Sequence, residues 1–278
     1  MKKATLLATA ATLALAAFSS TNSSAQTLKV WKNGEVLFSA ETSAVDSISF
    51  KDYSTLTDLG KTFVAVDLGL PSGTKWATFN LGATAPEEYG NYYAWGETAP
   101  KEVYNWSTYF DTEDDGDTFL KYNLDEGGKT ELDAEDDAAS VALGGDWRMP
   151  SHEEFTELRD NCYWVWTSTY GGKSVNGYIV YKAKADADKG AVVYSDGTPS
   201  SDYSVENDFH VFLPATGYRN GSGLYYAGSF GEYRSRSLYE GGADYAYALS
   251  FYSYGVDWDY YARLSGQSVR PVLPATEN

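Results

Sequence analysis

The first part of the chain alternates between apolar and polar residues over positions 28–50. Apolar residues occupy alternate positions on both sides of a Lys-Asn-Gly sequence at 32–34. A period of two around a short Asn-Gly turn predicts a β-hairpin, with one more strand after it. Such a module, residues 26–53, is too small to hold its own core. The stretch at 54–62 is interpreted as a linker.

From residue 63 to 274 the pattern changes to short apolar runs separated by glycine- and proline-containing turns. These runs predict β-strands at 63–70, 75–82, 178–181, 192–194 and 210–213.

Helical spacing is concentrated after Pro150. A capping box at 151–154 precedes Phe155 and Leu158, which share one helix face with Cys162. We expect that cysteine to be a buried, inert thiol. A shorter helix is predicted at 136–143. The predicted fold class is therefore α+β, β-rich with one clear helix.

The N-terminus has the order of a secretory signal peptide. Two lysines precede an apolar run at 4–18, and small residues lead to a predicted cleavage after Ala25. The run is shorter than the roughly 20 residues that cross a bilayer, and no later window predicts a transmembrane segment. The chain is expected in the periplasm, at the cell surface or outside the cell. Its single cysteine, Cys162, predicts neither a lipid anchor near the signal nor an internal disulfide.

Charge and aromatic composition limit the classes of partner that the chain can bind. With 21 Lys and Arg against 39 Asp and Glu, the net charge is −18, which repels nucleic acid and anionic membrane surfaces. The chain also holds 24 Tyr, 8 Trp and 26 Gly. Rigid aromatic rings and flexible spacers are typical of binding surfaces, although all-β proteins also accumulate them.

Five segments together resemble one family. They are VDLGLPSGTKWA (66–77), YAWGE (93–97), GGDWRMP (144–150), FLPATGYR (212–219) and QSVRPV (267–272). In order and spacing they are similar to the Fibrobacter succinogenes major paralogous domain family. The resemblance covers residues 63–274 and implies a C-type-lectin-like fold, which is related to that of formylglycine-generating enzymes. It also implies structural roles for Trp147, Arg148, Pro150, Gly217, Arg270 and Pro271, with Arg270 buried and paired.

The sequence predicts no catalytic residue, metal site or cofactor. An EF-hand loop starting at Asp111 needs a glutamate at position 122, where the chain has Tyr122. Formylglycine generation needs a cysteine pair, and zinc needs more converging ligands than His152 and His210 offer. Two carboxylates in a cleft could still hydrolyse a glycoside, which is the least favoured function.

The predicted binding surface lies in the aromatic segment 224–264. Two arginines there replace a Trp and a Ser of the family pattern. Alternation from Tyr245 predicts that Leu249 and Phe251 face the core and that Tyr252 faces outward. The predicted ligand-binding residues are Arg234, Arg236, Tyr239, Tyr252, Tyr254, Asp257, Trp258 and Asp259. The alternative is that these tyrosines only cover the sheet.

The favoured function is a non-enzymatic, exported binding protein for a protein or glycan ligand. The segment is similar to C-type-lectin-like domains that diversity-generating retroelements vary, which implies an adhesin or a diversified receptor. The alternative is a structural subunit of a pilus-like surface assembly, joined through residues 28–50 by β-augmentation.

Overall fold

The computed structural model describes the backbone of residues 27–32, 35–41, 53–58, 61–112, 118–124 and 128–275, and side chains from residue 64 onward. The chain divides into two compact units, Met1–Thr55 and Leu56–Asn278. In the first unit, β1 (Thr27–Lys32) pairs antiparallel with β2 (Glu35–Glu41), which confirms the predicted hairpin. The further strand predicted before residue 50 and the signal peptide at 1–25 lie outside the described residues.

The second unit, which begins within β3, is β-rich, with two α-helices among its described residues. The helices are α1 (Ala138–Leu143) and α2 (His152–Asn161). The first strands are β3 (Tyr53–Asp58), β4 (Lys61–Val66), β5 (Lys75–Ala77) and β6 (Tyr92–Tyr93). After the helices come β7 (Cys162–Tyr170), β8 (Lys173–Lys182), β9 (Val192–Val193), β10 (His210–Pro214), β11 (Tyr218–Asn220) and β12 (Gly223–Tyr225). The last strands are β13 (Phe230–Leu238), β14 (Tyr245–Tyr252), β15 (Gly255–Ala262), β16 (Gln267–Ser268) and β17 (Val272–Leu273).

Three larger sheets organise these strands. A five-stranded sheet has the order β15-β14-β13-β16-β6, so β15 is an edge strand. Two four-stranded sheets have the orders β10-β8-β7-β9 and β17-β5-β4-β3, and β11 pairs with β12 in a small hairpin. The architecture agrees with the predicted β-rich α+β class.

Helix α2 begins where the capping box predicts. Ser151 accepts a hydrogen bond from the Glu154 amide, and the Glu154 carboxylate accepts one from the Ser151 amide. The guanidinium of Arg148 donates to both oxygens of Glu154 at 2.6 and 2.8 Å. These contacts fix the first turn of α2 against the preceding chain, and Trp147 and Pro150 are buried beside it.

The chain before that turn is held by Asp137, the N-cap of α1. This fully buried carboxylate accepts hydrogen bonds from the amides of Ala139, Ser140 and Met149. Burial raises its pKa. One side chain thus satisfies the helix start and ties it to the residue before Pro150.

The closing segment 267–272 is buried along its whole length. Arg270 is fully buried and donates to Asn80 Oδ1, Ala77 O and Phe212 O at 2.7–3.0 Å. Pro271 lies beside it, and its carbonyl accepts from Ala77 N. Arg270 therefore joins segments that are far apart in the sequence.

Gly217 occupies a turn that excludes a side chain. Its φ is 64°, and a Cβ there would lie 2.0 Å from the carbonyl oxygen of Tyr225. Glycine is needed both for the left-handed backbone and for this close approach.

Three boundaries differ from the sequence prediction. Residues 54–62, interpreted as a linker, lie largely in β3 and β4. The strand predicted at 75–82 is only three residues long. Cys162 is fully buried but begins β7 instead of lying on a helix face, and burial raises its pKa to about 12. Among the described residues, no helix has the length and apolar character needed to span a membrane.

Candidate functional site

The candidate site is built on the antiparallel pair β14 and β15. Tyr247 lies opposite Tyr260, and Leu249 lies opposite Trp258. Since directly opposed residues share a face, Tyr247, Trp258 and Tyr260 point to the same side of the sheet. On that side Leu249 is fully buried, while the tyrosine end of the strand reaches solvent.

Six aromatic rings form a continuous cluster on this side, which we name the aromatic ladder: His152, Tyr239, Tyr245, Tyr247, Trp258 and Tyr260. Tyr239 stacks on Tyr260 with ring centroids 3.9 Å apart. His152 stacks on Tyr247 at 4.0 Å and meets Trp258 edge-on at 5.0 Å. Tyr247 meets Trp258 edge-on at 5.6 Å and Tyr239 edge-on at 5.3 Å, which joins the two stacked pairs into one cluster.

The ladder combines buried support with open faces. Trp258 and Tyr260 are each 40% exposed, whereas the other four rings are half-buried. Partial burial lowers the pKa of His152, which favours a neutral ring at neutral pH. The arrangement fixes the rings and leaves aromatic area available for contact.

Acidic side chains alternate with the ladder residues Trp258 and Tyr260 along β15. Asp257 accepts a hydrogen bond from Arg159 of α2 at 2.6 Å. Asp259 has no cationic partner among the residues whose side chains are described, and it is exposed. The edge strand that carries Trp258 and Tyr260 is therefore anionic.

A second aromatic surface lies near the other face of the hairpin, and we name it the tyrosine patch: Tyr218, Tyr225, Tyr226, Tyr252 and Tyr254. Tyr252 stacks on the buried Phe230 at 4.3 Å and on Tyr254 at 5.3 Å. Tyr218 stacks on Tyr225 at 5.6 Å and is close enough to interact electrostatically with Tyr252. Tyr226 and Tyr254 are 60% and 69% exposed.

The structure divides the predicted binding residues between these two surfaces. Tyr239 and Trp258 belong to the aromatic ladder, with Asp257 and Asp259 on the same edge strand. Tyr252 and Tyr254 belong to the tyrosine patch. The expected single surface is thus corrected to two, because Trp258 and Tyr252 point to opposite sides of the sheet.

The two arginines also differ from expectation. Arg234 is fully buried and donates to the carbonyl oxygens of Ala246, Tyr261, Ala262 and Ser265. Its expected role at the surface is corrected: it binds the ends of β14 and β15 together. Arg236 is half-buried, 2.9 Å from Glu131 and bonded to the carbonyl of Leu132. It ties the segment before α1 to β13.

Four ladder residues were absent from the sequence prediction. Tyr245 and Tyr247 share the side of β14 on which Leu249 and Phe251 are predicted to face the core. Tyr260 is not among the predicted binding residues, and His152 comes from α2, over 80 residues away in the sequence. The alternation of β14 correctly groups Tyr245 with Tyr247. The three-dimensional packing, including the contact of His152 of α2 with Tyr247, shows that Tyr245 and Tyr247 are only half-buried, whereas Leu249 is buried.

Beneath the other face lies a buried acid, Glu232. One carboxylate oxygen accepts from Gln267 Nε2 at 2.6 Å, and the Tyr261 hydroxyl beside the carboxylate also favours its charged form. Removal from water raises the pKa of Glu232 to about 7, against the opposing effect of Gln267 and Arg234.

Three acids could be considered as metal ligands: Asp133, Glu135 and Asp136 have carboxylate oxygens within 4.8 Å of one another. The ammonium group of Lys121 lies 2.7 Å from Glu135 and 2.5 Å from Asp136. The cluster is therefore an ion-pair network around a lysine. Residues 113–117 of the acidic loop considered for calcium lie outside the described residues.

Comparisons with protein-family models, with curated proteins and with solved structures gave no match to the chain.

Proposed function

We propose that the chain is an exported, non-enzymatic binding protein that holds a protein or glycan ligand on the aromatic ladder. In this proposal residues 63–274 form a C-type-lectin-like domain of the Fibrobacter succinogenes major paralogous domain family, in an adhesin or diversified receptor. The β-rich architecture and the buried closing segment support that fold. Export rests on the signal-peptide pattern at 1–25.

The observation that carries the proposal is the partial exposure of the Trp258 and Tyr260 rings, which are held in place by neighbouring rings. Both rings lie on the edge strand β15, two residues apart on one face, and each remains 40% exposed. Tyr239 stacks on Tyr260, and the rings of His152 and Tyr247 meet Trp258 edge-on. Preordered aromatic rings give contact area at little cost in side-chain entropy, which is how binding surfaces use Tyr and Trp.

The test compares two double variants on glycan and protein arrays. Trp258→Ala/Tyr260→Ala removes the open rings of the ladder, and Tyr225→Ala/Tyr226→Ala removes two comparably exposed rings of the tyrosine patch. For a ligand found with the unmodified mature chain, we expect the ladder variant to bind at least about 30-fold more weakly, since central aromatic residues contribute about 2 kcal/mol or more.

The patch variant should bind that ligand within about threefold of the unmodified chain. Binding that survives loss of the ladder rings, or that falls equally in both variants, would remove the ladder as the binding surface. Thermal unfolding of all three proteins separates lost binding from lost folding.

A further inference from the structure

The outer edge of β15 carries unused backbone hydrogen-bonding groups beside the ladder. Among the described residues no strand pairs with this edge, because β15 ends the five-stranded sheet. The strand is eight residues long, contains no proline, and has its central residues 257–260 exposed. Long exposed edges of this kind are templates for pairing with another chain.

Two amide groups on this edge donate hydrogen bonds to side chains of the same strand. The Trp258 N–H donates to the carboxylate of Asp257 at 2.9 Å, and the Tyr260 N–H donates to that of Asp259 at 2.8 Å. These two amides therefore point away from β14, since ladder bonds alternate along an antiparallel strand. Each is held by the side chain of the preceding residue, not by another strand.

The carboxylates of Asp257 and Asp259, which accept from these amides, determine what kind of strand can pair with the edge. An incoming backbone must displace the two carboxylates, and a displaced carboxylate needs a new partner. Asp257 already has Arg159, whereas Asp259 has no cation among the residues with described side chains. A strand that brings its own lysine or arginine compensates Asp259, and an acidic strand is repelled.

The two faces of β15 determine which side chains the incoming strand must carry. Residues next to Trp258 and Tyr260 would pack along the aromatic ladder, whereas residues next to Asp257 and Asp259 would lie on the acidic face. Because side chains alternate between faces, apolar and basic residues must alternate in a fitting segment.

We propose that the free edge of β15 binds, by β-augmentation, an extended segment of a partner protein in which apolar and basic residues alternate. This inference rests on the proposed function, since it names the partner chemistry of the ladder. Because the two carboxylates occupy the edge amides, strands without a compensating cation pair poorly with the edge, whereas a cationic strand compensates the displaced carboxylates.

The experiment uses the mature chain and capped eight-residue peptides that are monomeric in solution. In the first peptide lysine alternates with valine or tyrosine, and in the second glutamate replaces lysine. We expect the lysine peptide to bind and the glutamate peptide to bind at least about tenfold more weakly, measured by fluorescence anisotropy.

Two further arms separate strand pairing from charge attraction. N-methylation of the peptide amides that face β15 should weaken the lysine peptide at least about tenfold, because it removes backbone donors and keeps the charge. Asp259→Lys should reverse the preference, so that the glutamate peptide binds more tightly than the lysine peptide.

Binding that tolerates N-methylation in both registers, or that is unchanged by Asp259→Lys, overturns the proposal. So does the absence of any peptide binding at about 1 mM. If that absence accompanies an array ligand that requires Trp258 and Tyr260, the edge pairing fails and the ladder function stands. If the array ligand does not require those rings, the proposed function fails by itself.

Discussion

Arg263→Met is expected to lower the free energy of unfolding by about 3–5 kcal/mol. Arg263 is fully buried and forms an ion pair with Asp111, which is also buried. Its guanidinium donates to the carbonyls of Tyr122 and Ala243 and lies 4.5 Å from the ring centroid of Trp95. Removal of the cation leaves the Asp111 charge uncompensated in the core.

Urea unfolding of three variants and the unmodified chain tests this effect. Arg159→Met is the matched control, because Arg159 is more exposed and pairs with the exposed Asp160 and Asp257. We expect it to cost under about 1 kcal/mol. Adding Asp111→Asn to Arg263→Met should recover part of the loss by removing the stranded charge. Equal losses for the Arg263 and Arg159 variants would contradict the buried ion pair.

The second large effect is the dependence of stability on Glu232. Its pKa is about 7 in the folded protein against an ordinary 4.5, mainly because burial disfavours the charged form. Arg234 and Gln267 favour the carboxylate, and Asp259 opposes it. Below both pKa values the group is protonated in the folded and unfolded states alike.

Between the unfolded pKa of 4.5 and the folded pKa of about 7, Glu232 releases its proton only in the unfolded chain. The free energy of unfolding should therefore fall as pH rises through this interval, by about 3 kcal/mol from this group. Glu232→Gln keeps an acceptor for Gln267 and cannot ionise, so it should remove that part of the fall. The variant should be more stable than the unmodified chain at pH 8, by about 3 kcal/mol.

Denaturant unfolding at several pH values provides the measurement. Glu240→Gln, which removes one exposed negative charge, is the control for the change in net charge. If the Glu232→Gln and unmodified curves stay parallel from pH 4 to pH 8, ionisation of Glu232 does not determine this dependence.

Local features of the sequence predicted local structure well. The capping box at 151–154 and the spacing after it gave the start of α2, because its bonds lie within one turn. The Asn-Gly turn and flanking alternation likewise predicted the pairing of β1 with β2. Such elements depend on neighbours in the sequence.

The candidate site depended on contacts that no local pattern contains. Alternation sorted the residues of β14 into two faces, but which end of each face is covered depends on α2 and on the twist of the sheet. Arg234 is buried because four carbonyls from two strands and a turn converge on it. Its charge predicted exposure, and long-range packing reversed that expectation.

The central claim is that a ligand covers the open rings of the aromatic ladder. Hydroxyl-radical footprinting of the mature chain, with and without a ligand found on the arrays, tests it most directly, because Trp and Tyr side chains report their own exposure. We expect Trp258 and Tyr260 to be protected in the complex, while Tyr225 and Tyr254 react as in the free protein. Protection of the tyrosine patch with an unprotected ladder would contradict the claim.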